Sequence, residues 1–130
     1  MIIKRLLVLK SIVIHSVTIS YTLLIGVLSL IRLPVVPKLN TGYDDKIAHF
    51  IIYALFCLTW FISLYVLKKK ASLLIASLLA IGFGTVIEIL QSIVSIYRTT
   101  EILDIVANCL GVLTMTLFIY TKKELIVKKL

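Results

Sequence analysis

Residues 68–94 have the sequence KKKASLLIASLLAIGFGTVIEILQSIV, in which three lysines precede a long apolar stretch. A helix from Ala71 to about Val94 can cross the roughly 30 Å hydrocarbon core of a bilayer, because a helix rises about 1.5 Å per residue. Its only charged residue, Glu88, lies toward the end far from the lysines. An ionisable residue inside a membrane span is costly, so Glu88 marks a candidate functional site.

The composition of the whole chain agrees with a membrane location. Of its 130 residues 61% are hydrophobic, and the mean hydropathy is +1.13, more than a soluble domain of this length can bury. We therefore predict one integral membrane domain over residues 1–130. The net charge of +8 comes from basic residues at the ends of apolar segments, which is a topology signal and predicts no nucleic-acid partner.

Three further apolar stretches complete the predicted fold, which is all-α: a polytopic bundle of four transmembrane helices. Loops are predicted at 32–46, which contains Pro34, Pro37 and Gly42, and at 95–103. Because the lysines leave room only for a tight turn, the second and third helices are antiparallel neighbours. The predicted spans are 12–31, 47–67, 71–94 and 104–120.

The distribution of basic residues predicts the orientation, since loops rich in Lys and Arg stay in the cytoplasm. The end that carries both termini and the 68–70 turn holds ten Lys and Arg, and the other end holds four. We therefore predict that both termini are cytoplasmic and that loops 32–46 and 95–103 lie outside, in a bacterial cytoplasmic membrane.

Polar residues gather at the predicted outer ends of the spans, at depths of roughly 4 to 10 Å at helical rise. Within each helix they are three or four residues apart, so each helix has one polar edge. Such groups avoid lipid and are expected to face the bundle interior or a water-filled crevice. The candidate site comprises Asp45, Lys46, His49, Tyr53, Glu88, Gln91, Arg98, Asp104 and Asn108.

Small residues predict close contacts between helices. Gly82 and Gly84 give the third helix a small-residue surface, and Gly111 does the same for the fourth. Cys57 and Cys109 lie at different depths, so no disulfide is predicted.

The ordered polar residues resemble the VanZ-like family of small bacterial membrane proteins. The resemblance covers helices two to four and both outer loops, and it departs at Tyr97 and Thr114, where the family often has glycine or another small residue. The pattern that carries it is Asp45-Lys46-x-x-His49-Phe50-x-x-Tyr53, Glu88-x-x-Gln91, Arg98 and Asp104-x-x-x-Asn108-x-x-Gly111.

The resemblance implies a role in the cell envelope. The family is named for a protein associated with low-level resistance to teicoplanin, a glycopeptide that binds cell-wall precursors outside the membrane. A contribution to antibiotic resistance is therefore an expectation for this chain.

Three hypotheses for the polar cluster follow. In the first, Arg98, Lys46 and His49 hold an anionic or polar envelope ligand, such as a lipid headgroup or a lipid-linked wall precursor, while the carboxylates orient them. In the second, His49 or Glu88 is the general base of a hydrolase or transferase acting on an outer-leaflet lipid, and Arg98 stabilises developing negative charge. In the third, the polar groups only fasten the helices together.

We favour binding over catalysis and assign no catalytic residue. One histidine with scattered carboxylates falls short of a recognisable zinc pattern, so the sequence predicts no metal and no cofactor. The expected partners are the lipid bilayer and a lipid or wall-precursor ligand, and the oligomeric state is left open.

Overall fold

A computed structural model describes residues 2–31, 42–94 and 101–128, with side chains from Leu7 onward. The described residues form four α-helices and no strand: α1 (Ile2–Leu30), α2 (Asp44–Val66), α3 (Ser72–Val94) and α4 (Ile102–Val127). All four contain a stretch long and apolar enough to cross a membrane, with mean hydropathies of 1.8 to 2.3. The predicted all-α, multi-pass membrane fold is confirmed.

α1, α2 and α4 begin before their predicted spans, whereas α3 keeps the predicted bounds to within one residue. α2 begins at Asp44 rather than at residue 47, and α4 runs to Val127 rather than to residue 120. Asp44 and Asp45 lie in the first turn of α2, where carboxylates interact favourably with the helix dipole. Hydropathy marks where a helix leaves the apolar layer, whereas backbone hydrogen bonding continues through the charged flanks.

The four helices pack with α2 and α3 in the middle of the bundle. α2 contacts α4 most extensively and also contacts α3 and α1, while α3 contacts both α1 and α4. Among the described residues the backbones of α1 and α4 do not approach each other. α1 and α4 therefore occupy opposite corners.

The turn between α2 and α3 is a Schellman motif. The amide of Lys68 donates to the carbonyl of Tyr65 at 2.9 Å, and the amide of Lys69 donates to the carbonyl of Leu64 at 3.1 Å. Lys68 has φ 54°, in the left-handed region where glycine is usual. The lysines thus end α2 and return the chain antiparallel as α3, as the sequence predicts.

The core lies along α2. Phe56 and Phe61 of α2 are buried against Ala80 of α3 and Val112 and Ile119 of α4. The outer helix faces carry exposed aliphatic side chains, as expected for surfaces that face acyl chains.

Neutral polar side chains also join the helices. At mid-bundle the hydroxyls of Ser77 and Thr116 are 2.7 Å apart. Nearer the basic end, His15 Nδ1 is 2.7 Å from Ser63 Oγ, which joins α1 to α2. Trp60 Nε1 donates to Thr22 Oγ1 at 3.2 Å. Links of this kind are worth about 0.6 to 2 kcal/mol each in a membrane.

Gly111 sets the distance between α2 and α4. A Cβ added there would collide with the carbonyl oxygen of Phe50 and lie 3.0 Å from its carbonyl carbon. Gly84 has a similar role between helices, but Gly82 does not, because it is exposed and its Cβ would meet nothing within 4 Å. The expectation that Gly82 packs against another helix is wrong, since two residues turn a helix by about 200°.

Gly111→Ala is expected to destabilise the bundle by about 1–3 kcal/mol, because α2 and α4 must separate to admit the methyl group. Gly82→Ala is the matched control and is expected to be neutral or stabilising by up to about 1 kcal/mol, through helix propensity alone. Thermal unfolding in detergent measures both. Equal effects of the two substitutions would contradict close packing at Gly111.

Candidate functional site

Lys46 joins the first turn of α2 to the start of α4. Its Nζ lies 2.8 Å from Asp45 Oδ2 and 2.6 Å from Asp104 Oδ1, and it also donates to Glu101 Oε2. The lysine side chain is only 18% exposed. Charge-assisted contacts of this kind are stronger than neutral hydrogen bonds, so Lys46 fastens the two helix starts together.

One turn further into the bundle, His49 meets α3 and α4. Its Nδ1 is 3.0 Å from Asn108 Oδ1 and 3.5 Å from Glu88 Oε1. His49 donates to the Asn108 oxygen in the tautomer that is protonated at Nδ1. Glu88 and Asn108 are each 1% exposed, so three helices contribute to one buried polar layer.

Tyr53 lies below His49 on the same face of α2. The two rings are parallel, with centroids 6.4 Å apart. A Cβ at Gly84 would lie 2.8 Å from a Tyr53 ring carbon and 3.2 Å from Asn108 Nδ2, so this glycine makes room for both groups. Tyr53 Oη and Asn108 Nδ2 are buried and have no hydrogen-bond partner among the described residues. Two buried polar atoms of the cluster therefore lack a partner in the described part of the chain.

Two predicted site residues, Gln91 and Arg98, are not in the cluster that the described residues form. Gln91 is placed elsewhere: its Nε2 donates to the carbonyl of Ser29 at 2.8 Å and so binds α1 to α3. Arg98 lies outside the described residues. The cluster in the described part of the chain comprises Asp45, Lys46, His49, Tyr53, Glu88, Asp104 and Asn108, together with Glu101.

Glu101 was missed because it falls in the predicted loop 95–103. A signal existed, since Glu101 precedes Asp104 by three residues and shares its helical face.

Carboxylates outnumber basic groups in this cluster. The cluster contains one ammonium, that of Lys46, and four carboxylates, those of Asp45, Glu88, Glu101 and Asp104. The described part of the site is therefore acidic when His49 is neutral.

Two groups in the cluster have metal-ligand character. Ligand atoms of His49, Glu88 and Asp104 lie within 4.8 Å of one another, as do those of Asp45, Glu101 and Asp104. In the second group the cation position is taken by the Lys46 ammonium, which contacts all three carboxylates. In the first, His49 Nδ1 is engaged by Asn108. The geometry favours an ion-pair network over a metal centre.

The family model described as VanZ/LLP1 matches residues 6–123. The chain belongs to the VanZ/LLP1 family. No curated protein and no solved structure matches it.

The VanZ/LLP1 match reaches further than the polar pattern in the sequence. It begins at residue 6 and therefore takes in most of α1, and it contains every residue of the cluster. The family match therefore includes most of α1, the helix that Gln91 contacts.

Lys46→Gln is expected to lower the free energy of unfolding by about 1–3 kcal/mol, because it leaves Asp104 and its neighbours facing one another without a cation. Asp45→Asn, at a carboxylate 49% exposed, should cost less than about 1 kcal/mol. A double-mutant cycle of Lys46→Gln with Asp104→Asn, followed by thermal unfolding, measures the coupling. Strict additivity would show that the pair does not interact.

Proposed function

We propose that the cluster on α2, α3 and α4 binds a polar group of a cell-envelope molecule, either a lipid headgroup or a lipid-linked wall precursor. The observation that supports this most is the pair of buried atoms Tyr53 Oη and Asn108 Nδ2, which have no partner among the described residues. A buried polar group without a partner costs about 1–3 kcal/mol, which a bound ligand would recover.

The depth of the cluster supports an outer-leaflet ligand. Asp45 and Asp104 lie in the first turns of their helices, and His49 and Asn108 follow one turn below. The lysine turn lies at the opposite end of α2 and α3, so the charge bias favours a site open to the cell exterior, with both termini in the cytoplasm. A lipid headgroup reaches this depth from the bilayer surface.

The charge of the cluster favours a particular kind of contact. An excess of carboxylates suits hydroxyl or amino groups of a ligand better than phosphate. Recognition of an anionic part falls to Arg98, which suits bidentate binding of phosphate or carboxylate and lies outside the described residues. The polar form of the ligand hypothesis is therefore better supported here than the strictly anionic one.

Membership of the VanZ/LLP1 family supports a consequence for antibiotic susceptibility. A protein that holds a wall precursor or a neighbouring lipid outside the membrane would alter access of a teicoplanin-type glycopeptide to its target. Resistance is thus proposed as a result of binding, not of drug modification.

An enzymatic reading has one specific observation in its favour. Glu88 Oε1 lies 3.5 Å from His49 Nδ1, within ion-pair distance, so a carboxylate stands beside the histidine that would act as the base. Mass spectrometry of the bound lipids distinguishes the two functions, because a hydrolase or transferase returns chemically altered lipid and a binding protein returns the same molecule.

Tyr53→Phe tests the binding site without disturbing the ion pairs. It removes a buried hydroxyl that has no partner in the described part of the chain, so stability should be unchanged or rise by up to about 1 kcal/mol. The co-purified envelope molecule should fall at least about 10-fold, as for loss of one hydrogen bond to a buried group. Native mass spectrometry measures the ligand, and teicoplanin susceptibility of cells measures the consequence.

Tyr120→Phe is the matched control, because Tyr120 is exposed on α4 and lies outside the cluster. It should keep both the bound molecule and the resistance of the parent protein. Retention of the ligand and of full resistance by Tyr53→Phe, or an equal loss in both variants, would contradict the proposed site.

The membrane orientation is tested by cysteine labelling in a variant that lacks Cys57 and Cys109. A cysteine introduced as Thr100→Cys, in the predicted outer loop, should react with a membrane-impermeant maleimide in intact cells. Glu124→Cys, at the other end of α4, should react only after permeabilisation. The reverse labelling pattern would place the polar cluster on the cytoplasmic side.

A further inference from the structure

A cavity lies at the lysine-rich end of the bundle, away from the polar cluster. Its volume is about 840 Å³, and its walls come from α1, from the turn between α2 and α3, and from α4. We call it the basic-end cavity. Six of its lining residues carry the argument: Val8, Leu73, Lys10, Lys68, Lys69 and Lys123.

The helix arrangement explains why a cavity forms here. α1 and α4 occupy opposite corners and their described backbones do not approach each other. Val8 and Lys123 nevertheless line the same space, so it opens between these two helices, with the Schellman turn along one side. The cavity is a consequence of the fold, not of one side-chain position.

The lining combines two chemistries that an amphiphile would match. Val8 and Leu73 belong to its apolar walls, whereas the lysines of the turn and Lys123 bring ammonium groups from two sides. No carboxylate occurs among the described lining residues. Lysine is a compact charge that binds phosphate, and basic pockets between transmembrane helices are suited to anionic lipid headgroups.

The size of the cavity also fits part of a lipid. Ligand sites have volumes of about 300–1,000 Å³, enough here for a phosphate headgroup, its glycerol and the first methylene groups of the acyl chains. A small soluble phosphate would leave the apolar walls uncovered. We propose that the basic-end cavity binds the headgroup of an anionic phospholipid, whose acyl chains continue along the apolar faces of α1 and α4.

Lysines at this end also bias membrane topology, and that role needs no cavity. The experiment therefore compares variants that remove the same charge. Lys69→Gln with Lys123→Gln alters two lysines that line the cavity from opposite sides. Lys122→Gln with Lys128→Gln removes two positive charges from the same end of the bundle, at positions that are not among the described lining residues.

The full-length protein is loaded with phosphatidylglycerol or with phosphatidylcholine of the same acyl chains, and retained lipid is measured by native mass spectrometry. The parent protein should retain phosphatidylglycerol preferentially. The cavity pair should bind it about 25-fold more weakly, a factor of about 5 for each lysine. The control pair should lose less than about 2-fold, and millimolar glycerol phosphate should not displace the lipid.

A second pair of variants tests the cavity without changing charge. Val8→Trp narrows the apolar wall and should reduce retained phosphatidylglycerol at least about 10-fold, whereas Val13→Trp, on the same helix and equally exposed, should not.

Three results would overturn the proposal. Equal retention of the two lipids would remove its charge selectivity, and equal losses in the two lysine pairs would reduce the lysines to a topology signal. Displacement by glycerol phosphate would make the ligand a soluble phosphate rather than a lipid.

Discussion

The buried carboxylate of Glu88 is the constraint on which the polar half of the structure depends. It lies inside an apolar helix and is 1% exposed, so its partners must come from neighbouring helices. His49 approaches from α2, and Asn108 joins it from α4. A charge that lipid excludes thus requires three helices to converge at one depth.

That convergence requires backbones that approach closely. Gly111 lets α4 lie against the Phe50 carbonyl of α2, and Gly84 leaves space for the Tyr53 ring and the Asn108 amide. Side chains at either position would separate the helices and move His49 away from its partners. Packing and electrostatics are therefore coupled: the glycines carry no polar group, yet they set the geometry of the polar layer.

Periodicity in the sequence was sufficient to place several residues of the polar cluster on common helix faces. Spacings of four place Asp45, His49 and Tyr53 on one face of α2, and the lysine turn makes α2 and α3 antiparallel. Periodicity alone does not show which neighbouring helix a side chain contacts. Gln91 lies one turn from Glu88 but binds α1 instead of the cluster. Glu101 was missed because it falls in the predicted loop 95–103, although it lies three residues before Asp104 and contacts the same lysine.

Two sets of polar side chains join the helices, and they differ in how well their polar groups are satisfied. Ser77 and Thr116 join α3 to α4 with hydroxyls 2.7 Å apart, and a carbonyl of its own helix lies 2.9 Å from Ser77 Oγ and 2.8 Å from Thr116 Oγ1. One hydroxyl donates to the other, and the hydroxyl that accepts donates its own proton to its carbonyl. Those groups satisfy one another. The polar cluster on α2, α3 and α4 instead uses ionisable side chains, which cost more to bury, and it leaves Tyr53 Oη without a partner among the described residues. Pairs of hydroxyls would join the helices as well, and burying them costs less free energy than burying ionisable groups. The ionisable side chains and the unsatisfied hydroxyl of the cluster therefore support a ligand site.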